Sequence, residues 1–319
     1  MIIDKKIGFI GLGNVGKKLA NSILEGNFDL FVHDINKNKA LELISKGAKW
    51  KNSIKEIAES SSIILTCLPS PKVVKEVISG YNGLVHYVNQ THLWIEMSTT
   101  DENEMITLAK LIEKKKGNVL EAPVTGGQHR AATGNIAVLA AGKRKIFDRA
   151  FPVLSEMGYE ILYCGKLGNA STLKVVTNYL ASINLLSLGE ALMVCKKYGL
   201  DLKTAFHGIK ISSGNSFVHE TESQVILNGS YDVGFTMDLV NKDVRLFDKL
   251  INLLNIPAEI SPLMVKIFEE GMNKYGKRAF STSIVKRLED SCDTKLRAKG
   301  FPPSLTDNAA RKKGYETKI

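Results

Sequence analysis

The segment Gly11-Leu12-Gly13-Asn14-Val15-Gly16 constrains this chain more than any other. It follows a short apolar run, Lys6 to Gly11, and opens a stretch where Val15, Leu19, Ile23 and Leu24 recur at helical spacing. A glycine-rich turn from strand into helix predicts a βα unit in which each glycine has its own duty. Gly11 makes the tight turn, Gly13 lets a ligand approach the backbone, and Gly16 lets the helix lie close on the sheet. The free N–H groups and partial positive charge at the helix start suit a pyrophosphate. The expected ligand is therefore a dinucleotide, with Leu12, Asn14 and Val15 counted in the same cofactor loop. A second apolar run, 29–34, ends in Asp34, 18 residues after Gly16. A carboxylate there accepts hydrogen bonds from the adenosine ribose and repels a 2′-phosphate, which favours NAD over NADP. Lys37 and Lys39 follow closely and soften that preference, so NADP stays open. Capping of the next helix is the structural alternative for Asp34.

Strand-like runs at 62–67, 93–97, 119–122, 136–141 and 160–163 alternate with helical spacing at 37–46, 53–59, 71–79, 101–116 and 143–157. Such alternation implies right-handed crossovers and a mostly parallel sheet. After Gly165 the pattern changes to helices alone, at about 169–198, 201–209, 216–227, 236–254, 259–275 and 282–290. The expected fold class is α/β: an N-terminal Rossmann-type doubly wound sheet plus an all-α C-terminal domain. With 319 residues the chain exceeds what one core usually fills. The expected division is 1–167 for the dinucleotide-binding domain, 168–298 for the all-α domain and 299–319 for a charged tail lying on the surface.

Bulk properties narrow the function classes. The apolar fraction of 44% is ordinary for a globular protein, and no run approaches the roughly 20 consecutive apolar residues of a membrane span. The first residues do not resemble a secretory signal, so a cytoplasmic protein is expected. Cys67, Cys164, Cys195 and Cys292 are too scattered for a metal site or redox pair. The net charge of +10 is spread along helical segments without a nucleic-acid module, which fits steering of anionic ligands better than nucleic-acid binding.

The loops at strand ends carry the remaining candidates, because ligands of such sheets bind at the carboxyl ends of the strands. Leu68 and Pro69 follow one strand, ahead of Pro71, which suits a helix start. Ser98 and Thr99 follow the next, where they either bond the nicotinamide ribose or cap the helix beginning at Asp101. Thr125-Gly126-Gly127 ends another strand and offers backbone N–H groups and a hydroxyl to a carboxylate. Lys174 and Asn178 lie four apart on the long helix, on one mostly apolar face. Removing an ammonium from water favours its neutral form, which suits proton transfer. His129 follows the glycine pair closely but has no identifiable acidic partner in the sequence, and Ser216, within Gly214–Glu220, reads as a helix cap.

Together these features resemble the β-hydroxyacid dehydrogenase family, which includes 3-hydroxyisobutyrate dehydrogenase and tartronate semialdehyde reductase. Phe9–Gly16 looks like its cofactor motif, Ala122–Gly127 like its substrate loop, Gly165–Asn178 like the start of its catalytic helix, and Lys242-Asp243 like its later lysine–aspartate pair. The resemblance runs from about 6 to 290. It implies Lys174 as general acid/base, Asn178 as a substrate-orienting residue and Thr125, Gly126 and Gly127 as carboxylate binders. Lys242 would lie by the nicotinamide, supported by Asp243. Thr125, Val15 and Glu121 depart from the family's common Ser, Met and Asp. The implied reaction is hydride transfer between NAD(P) and a small 3-hydroxy acid or its semialdehyde, without bound metal. The long apolar helix at 172–195 suggests a large interdomain or intersubunit surface, so a homodimer or homotetramer is expected. Short-chain aldehyde or imine reduction on the same scaffold is the alternative, as is a non-catalytic dinucleotide-binding protein. Retention of Lys174 and Asn178 argues against imine chemistry, and the presence of Lys174 argues against a non-catalytic sensor.

Overall fold

A computed structural model describes residues 4–319, so the first three residues of the expected N-terminal domain lie outside the described residues. Ten strands form one sheet: β1 (Lys6–Ile10), β2 (Asp29–His33), β3 (Lys49–Trp50), β4 (Ile63–Thr66), β5 (Leu93–Glu96), β6 (Asn118–Glu121), β7 (Val124–Thr125), β8 (Ile136–Gly142), β9 (Gly158–Tyr163) and β10 (Tyr315–Thr317). Their order is β10-β9-β8-β6-β5-β4-β1-β2-β3, with β7 beside β8. From β3 to β6 every pairing is parallel, and only the pairings of β8 with β6 and β7 are antiparallel. The run 3-2-1-4-5-6 is the dinucleotide-binding order, and its direction reverses between β1 and β4. Strands β4 and β5 are buried along their whole length, since helices cover both faces.

The helices of this part are α1 (Gly16–Glu25), α2 (Leu41–Ser45), α3 (Ile54–Ser60), α4 (Pro71–Ser79), α5 (Glu102–Lys114), α6 (Gly127–Thr133) and α7 (Arg144–Met157). Several begin at a side-chain cap: Ser53 accepts from the Glu56 N–H, Ser70 from Val73 and Asp101 from Glu104. The remaining helices are α8 (Asn169–Tyr198), α9 (Leu202–Lys210), α10 (Phe217–Asn228), α11 (Met237–Leu253), α12 (Ile260–Tyr275) and α13 (Lys286–Ser291). Ser216 caps α10 through the His219 N–H, as its sequence context suggests.

The described residues divide into two compact units, one of residues 4–174 with 307–319 and the other of 175–306. The first has apolar cores on both sheet faces, around Leu19, Ile23 and Phe147 on one side and Ile64, Ile78 and Trp94 on the other. The second is built of helices around Leu192, Phe206, Met264 and Phe268. Two boundaries differ from those read in the sequence. The first falls inside α8, after Lys174, because the opening turn of that helix is fastened to β6. The second cuts the tail: its last 13 residues return to the first unit, and β10 pairs parallel with β9. Three strand residues, Tyr-Glu-Thr, are too few to leave an alternating pattern. Helix α6 and the two-residue strands β3 and β7 are likewise absent from the sequence reading.

Candidate active site

The loop from β1 to α1 separates its glycines by cause. A side chain on Gly11, whose φ is +97°, would place its Cβ 2.4 Å from the Cys67 carbonyl oxygen. On Gly16 it would lie 2.1 Å from the carbonyl oxygen of Gly11. On Gly13 it would meet nothing within 4 Å. Gly11 and Gly16 are therefore demanded by the fold, whereas nothing in the chain demands Gly13, which faces outward. That open, side-chain-free stretch beside an α1 start with no side-chain cap fits a pyrophosphate.

Asp34, at the end of β2, is buried, and each carboxylate oxygen accepts one backbone N–H: Leu12 at 2.7 Å on Oδ2 and Asn36 at 2.9 Å on Oδ1. Lys39 Nζ lies 3.4 Å from Oδ1. The capping alternative does not hold, because Asn36 accepts from the Asn38 N–H at the next turn. Asp34 instead pins the glycine loop to β2, and each oxygen keeps a lone pair for a ribose hydroxyl.

Because the strand order reverses between β1 and β4, the loop carrying Leu68 and Pro69 lies next to the glycine loop. Ser98 Oγ accepts from the Leu68 N–H at 2.7 Å, so the loops after β4 and β5 are tied together. Helix α5 is capped by Asp101, so neither Ser98 nor Thr99 is needed there. Beneath this tie lies a buried carboxyl that sequence reasoning missed. Glu96 accepts from the Ser98 N–H and the Thr66 hydroxyl, each at 2.6 Å, and Thr66 accepts from the Trp94 indole at 2.8 Å. Burial pushes the Glu96 carboxyl up to about 7, against the pull of its hydrogen bonds from Ser98 and Thr66.

Glu121 stands opposite Glu96 in register. One of its oxygens accepts from the N–H groups of Gly168 (2.6 Å) and Ala170 (3.1 Å). The other accepts from the Ser171 N–H at 3.1 Å and from the Ser171 hydroxyl. A carboxylate at the end of β6 thus satisfies the orphan donors at the start of α8. The same side chain lies four residues before Thr125 and fastens the turn just ahead of Lys174. Burial raises its pKa against these hydrogen bonds. The available signal was an acid closing an apolar strand twice, in Leu-Trp-Ile-Glu and Asn-Val-Leu-Glu. Lys174 itself is 7% exposed.

Thr125, Gly126 and Gly127 pass from β7 into α6. Gly126 has φ +119° and Gly127 has φ +87°, a left-handed path that favours glycine at both. Lys18 of α1 donates to the Gln128 side-chain oxygen at 3.0 Å, holding the start of α6. The His129 ring lies against Gly127. Burial lowers the His129 pKa, and Arg130 adds to that, while the Asp307 charge opposes it.

In the second unit, Asp243 of α11 is a buried hub. It accepts from Asn178 Nδ2 on Oδ2 and from Lys242 Nζ on Oδ1, each at 2.6 Å. The Tyr179 and Phe247 rings stack at 3.8 Å and hold the two helices in register. Asn178, Lys242 and Asp243 are thereby brought together, with Lys174 one turn earlier on α8. Among the described residues, no three His, Cys, Asp or Glu side chains are grouped to hold a metal ion.

Two family models tile the chain. Residues 6–165 match the NAD-binding domain of 6-phosphogluconate dehydrogenase, and 168–288 match the NAD-binding model of NADP-dependent 3-hydroxyisobutyrate dehydrogenase. The chain is 31% identical to 2-(hydroxymethyl)glutarate dehydrogenase of Eubacterium barkeri over 89% of its own length and 95% of that protein. The chain belongs to the β-hydroxyacid dehydrogenase family. It is also 31% identical to mouse mitochondrial 3-hydroxyisobutyrate dehydrogenase, over 86% of this chain and 85% of the mouse protein. Among solved structures, 3-hydroxyisobutyrate dehydrogenase from Salmonella typhimurium superposes with a TM-score of 0.80 at 25% identity, covering 88% of this chain and 99% of that one. As a family member the protein is an NAD(P)-binding oxidoreductase that acts on CH–OH groups of hydroxy acids.

Proposed function

We propose that this dehydrogenase interconverts a small 3-hydroxy acid and its semialdehyde or keto acid, with Lys174 as the general acid/base. The observation that carries this reading is Lys174 itself: a buried lysine just past the Glu121 clamp, one turn before Asn178, which the Asp243 hub holds. In the oxidation direction the substrate hydroxyl gives its proton to Lys174 Nζ as its carbon gives up a hydride. Bound NAD(P) supplies the hydride acceptor. Thr125, Gly126 and Gly127 hold the carboxylate and so set the distance to the reacting carbon. By the family resemblance Asn178 would orient the substrate and Lys242 would serve the nicotinamide, and Asp243 holds both side chains. Gly11 to Gly16, Leu68, Pro69, Ser98 and Thr99 line the cofactor. The Asp34 carboxylate supports NAD as the better cofactor, because it would repel a 2′-phosphate.

Reduced-nicotinamide absorbance, followed with a panel of 3-hydroxy acids and either cofactor, tests the reading. Lys174→Ala is expected to lose about 10²- to 10⁴-fold in kcat while binding the cofactor as before. If no hydroxy acid turns over although cofactor binds, or if Lys174→Ala keeps its rate, the assignment fails and imine reduction or sensing takes its place.

We also propose a homodimer or homotetramer. Only 33% of the most apolar window of α8 is buried within the chain, and Leu253, Leu254, Ile256, Ile260 and Leu263 leave an apolar patch between α11 and α12. Among the described helices, α8 alone is long and apolar enough to cross a membrane by length and composition, a test that the core helix of a soluble protein also passes. Light scattering on the eluting protein is expected to give two or four times the chain mass, and a monomer would overturn this. The four free cysteines fit a reducing compartment such as the cytoplasm.

A further inference from the structure

The last 13 residues lie beyond residue 288, where the second family model ends, yet they are built into the first unit. Their contacts run in sequence over its surface. Asp307 Oδ2 accepts from the Thr133 hydroxyl and, at 2.9 Å, from Asn135 Nδ2. The same Asn135 amide lies 3.2 Å from the Ala309 carbonyl oxygen. Arg311 crosses Gly134, donates to the carbonyl oxygens of Ser22 and Glu156 at 2.9 Å each, and pairs with the Glu25 and Glu156 carboxylates. At Gly314 a Cβ would fall 2.0 Å from the Gly158 carbonyl oxygen, so the chain presses directly on the sheet edge. Strand β10 then pairs with β9, and Glu316 takes two hydrogen bonds from Arg144.

Where this segment starts is informative. Helix α6 has seven residues and is bounded by glycines with left-handed backbones, with Gly126 before it, Gly127 as its first residue, and Gly134 after it at φ +74°. So short a helix has little stability of its own, and glycine joints at both ends leave its direction undetermined by local sequence. Its start is tied to α1 by Lys18 and Gln128. Its far end is tied by Asp307 through Thr133, and Arg311 lies against Gly134 just beyond it.

We propose that residues 307–319 form a strap that fixes α6, and that Asp307 is thereby a positioning residue for the Thr125–Gly127 loop. The role rests on the proposal that this loop holds the substrate carboxylate. Asp307 does not touch substrate. Its carboxylate accepts from the hydroxyl of Thr133, the last residue of α6, and from the Asn135 amide just beyond, so the far end of the helix and with it the loop N–H groups keep one direction. The cofactor loop, held by Asp34 and Cys67, does not depend on it.

The test uses the full-length protein with Asp307→Ala, Thr133→Val, which removes the same bond from the α6 side, and Glu316→Gln, which weakens the strap at the sheet edge alone. Two readouts are taken: amide hydrogen exchange across 127–133, and KM against kcat for the hydroxy acid. For Asp307→Ala and Thr133→Val, exchange across α6 is expected to speed up and KM to rise about tenfold, with cofactor affinity unchanged. For Glu316→Gln only the melting temperature is expected to fall. The proposal is overturned if α6 exchange stays at the wild-type rate in both α6-end variants, or if Glu316→Gln changes exchange and KM as much as they do. If α6 loosens and KM does not move, the strap is a structural clamp only and the positioning role is lost. Absence of turnover in the wild type strikes the proposed function instead, and the exchange readout still decides whether the strap fixes α6.

Discussion

Two glycine turns, Gly11–Gly16 and Gly126–Gly134, sit at strand ends of the same sheet and are held by opposite means. In the first, Gly11 and Gly16 are forced by backbone atoms of the loop itself and of the adjoining strand end, at 2.4 and 2.1 Å from a hypothetical Cβ. In the second, a Cβ on Gly126 would meet the Arg130 side chain at 3.3 Å, and one on Gly134 would meet Arg311 at 3.2 Å, both flexible groups. Backbone packing makes the cofactor turn rigid by itself. The second turn takes its direction from residues far away in sequence, such as Asp307. If the second turn holds the substrate as proposed, such separate fastening would let substrate choice change without disturbing the dinucleotide turn.

Alanine substitutions break or sharpen this contrast. The largest effect is expected at Gly16, where the new methyl cannot avoid the Gly11 carbonyl. Gly16→Ala should cost about 3 kcal/mol or more, seen as a clear fall in melting temperature or loss of soluble protein. Next comes Gly13→Ala, which should melt like wild type yet bind NAD(P) at least about tenfold more weakly by fluorescence titration, because only the ligand needs that space. Equal melting losses at Gly13 and Gly16 would erase the distinction. Gly134→Ala is expected to cost only about 1–2 kcal/mol, the strain of a left-handed alanine.

The two strand-end carboxyls extend the comparison to pH, since Glu96 lies under the tied loops after β4 and β5 and Glu121 under the turn just ahead of Lys174. Burial holds the Glu96 carboxyl near 7, above the ordinary 4.5. Between those values the folded protein keeps a proton that the unfolded chain has lost, so stability falls as pH rises through the window and levels off above it. The fall attributable to Glu96 is about 3 kcal/mol. Glu96→Gln should lessen the fall of the melting temperature between pH 4.5 and 7 without abolishing it, because burial also raises Glu121 and holds Glu222 at about 8, and both contribute in the same direction. An unchanged profile would show that Glu96 is ionised throughout.

Much of this was open to inspection in the sequence. The glycine motif, the short apolar strand-like runs, the 3.6-residue period and the switch to helices after Gly165 are local patterns, each set by neighbours along the chain. They sufficed for the α/β class, the all-helical second unit, the NAD(P) cofactor and the family. What needed the tertiary structure is non-local: Glu121 reaching the start of α8 about 50 residues on, Asp243 gathering Asn178 and Lys242, and Asp307 returning to α6 from 174 residues away. A side chain's type and spacing specify what it can bond. Which partner it meets depends on how the chain closes on itself, and no period in the sequence records that closure.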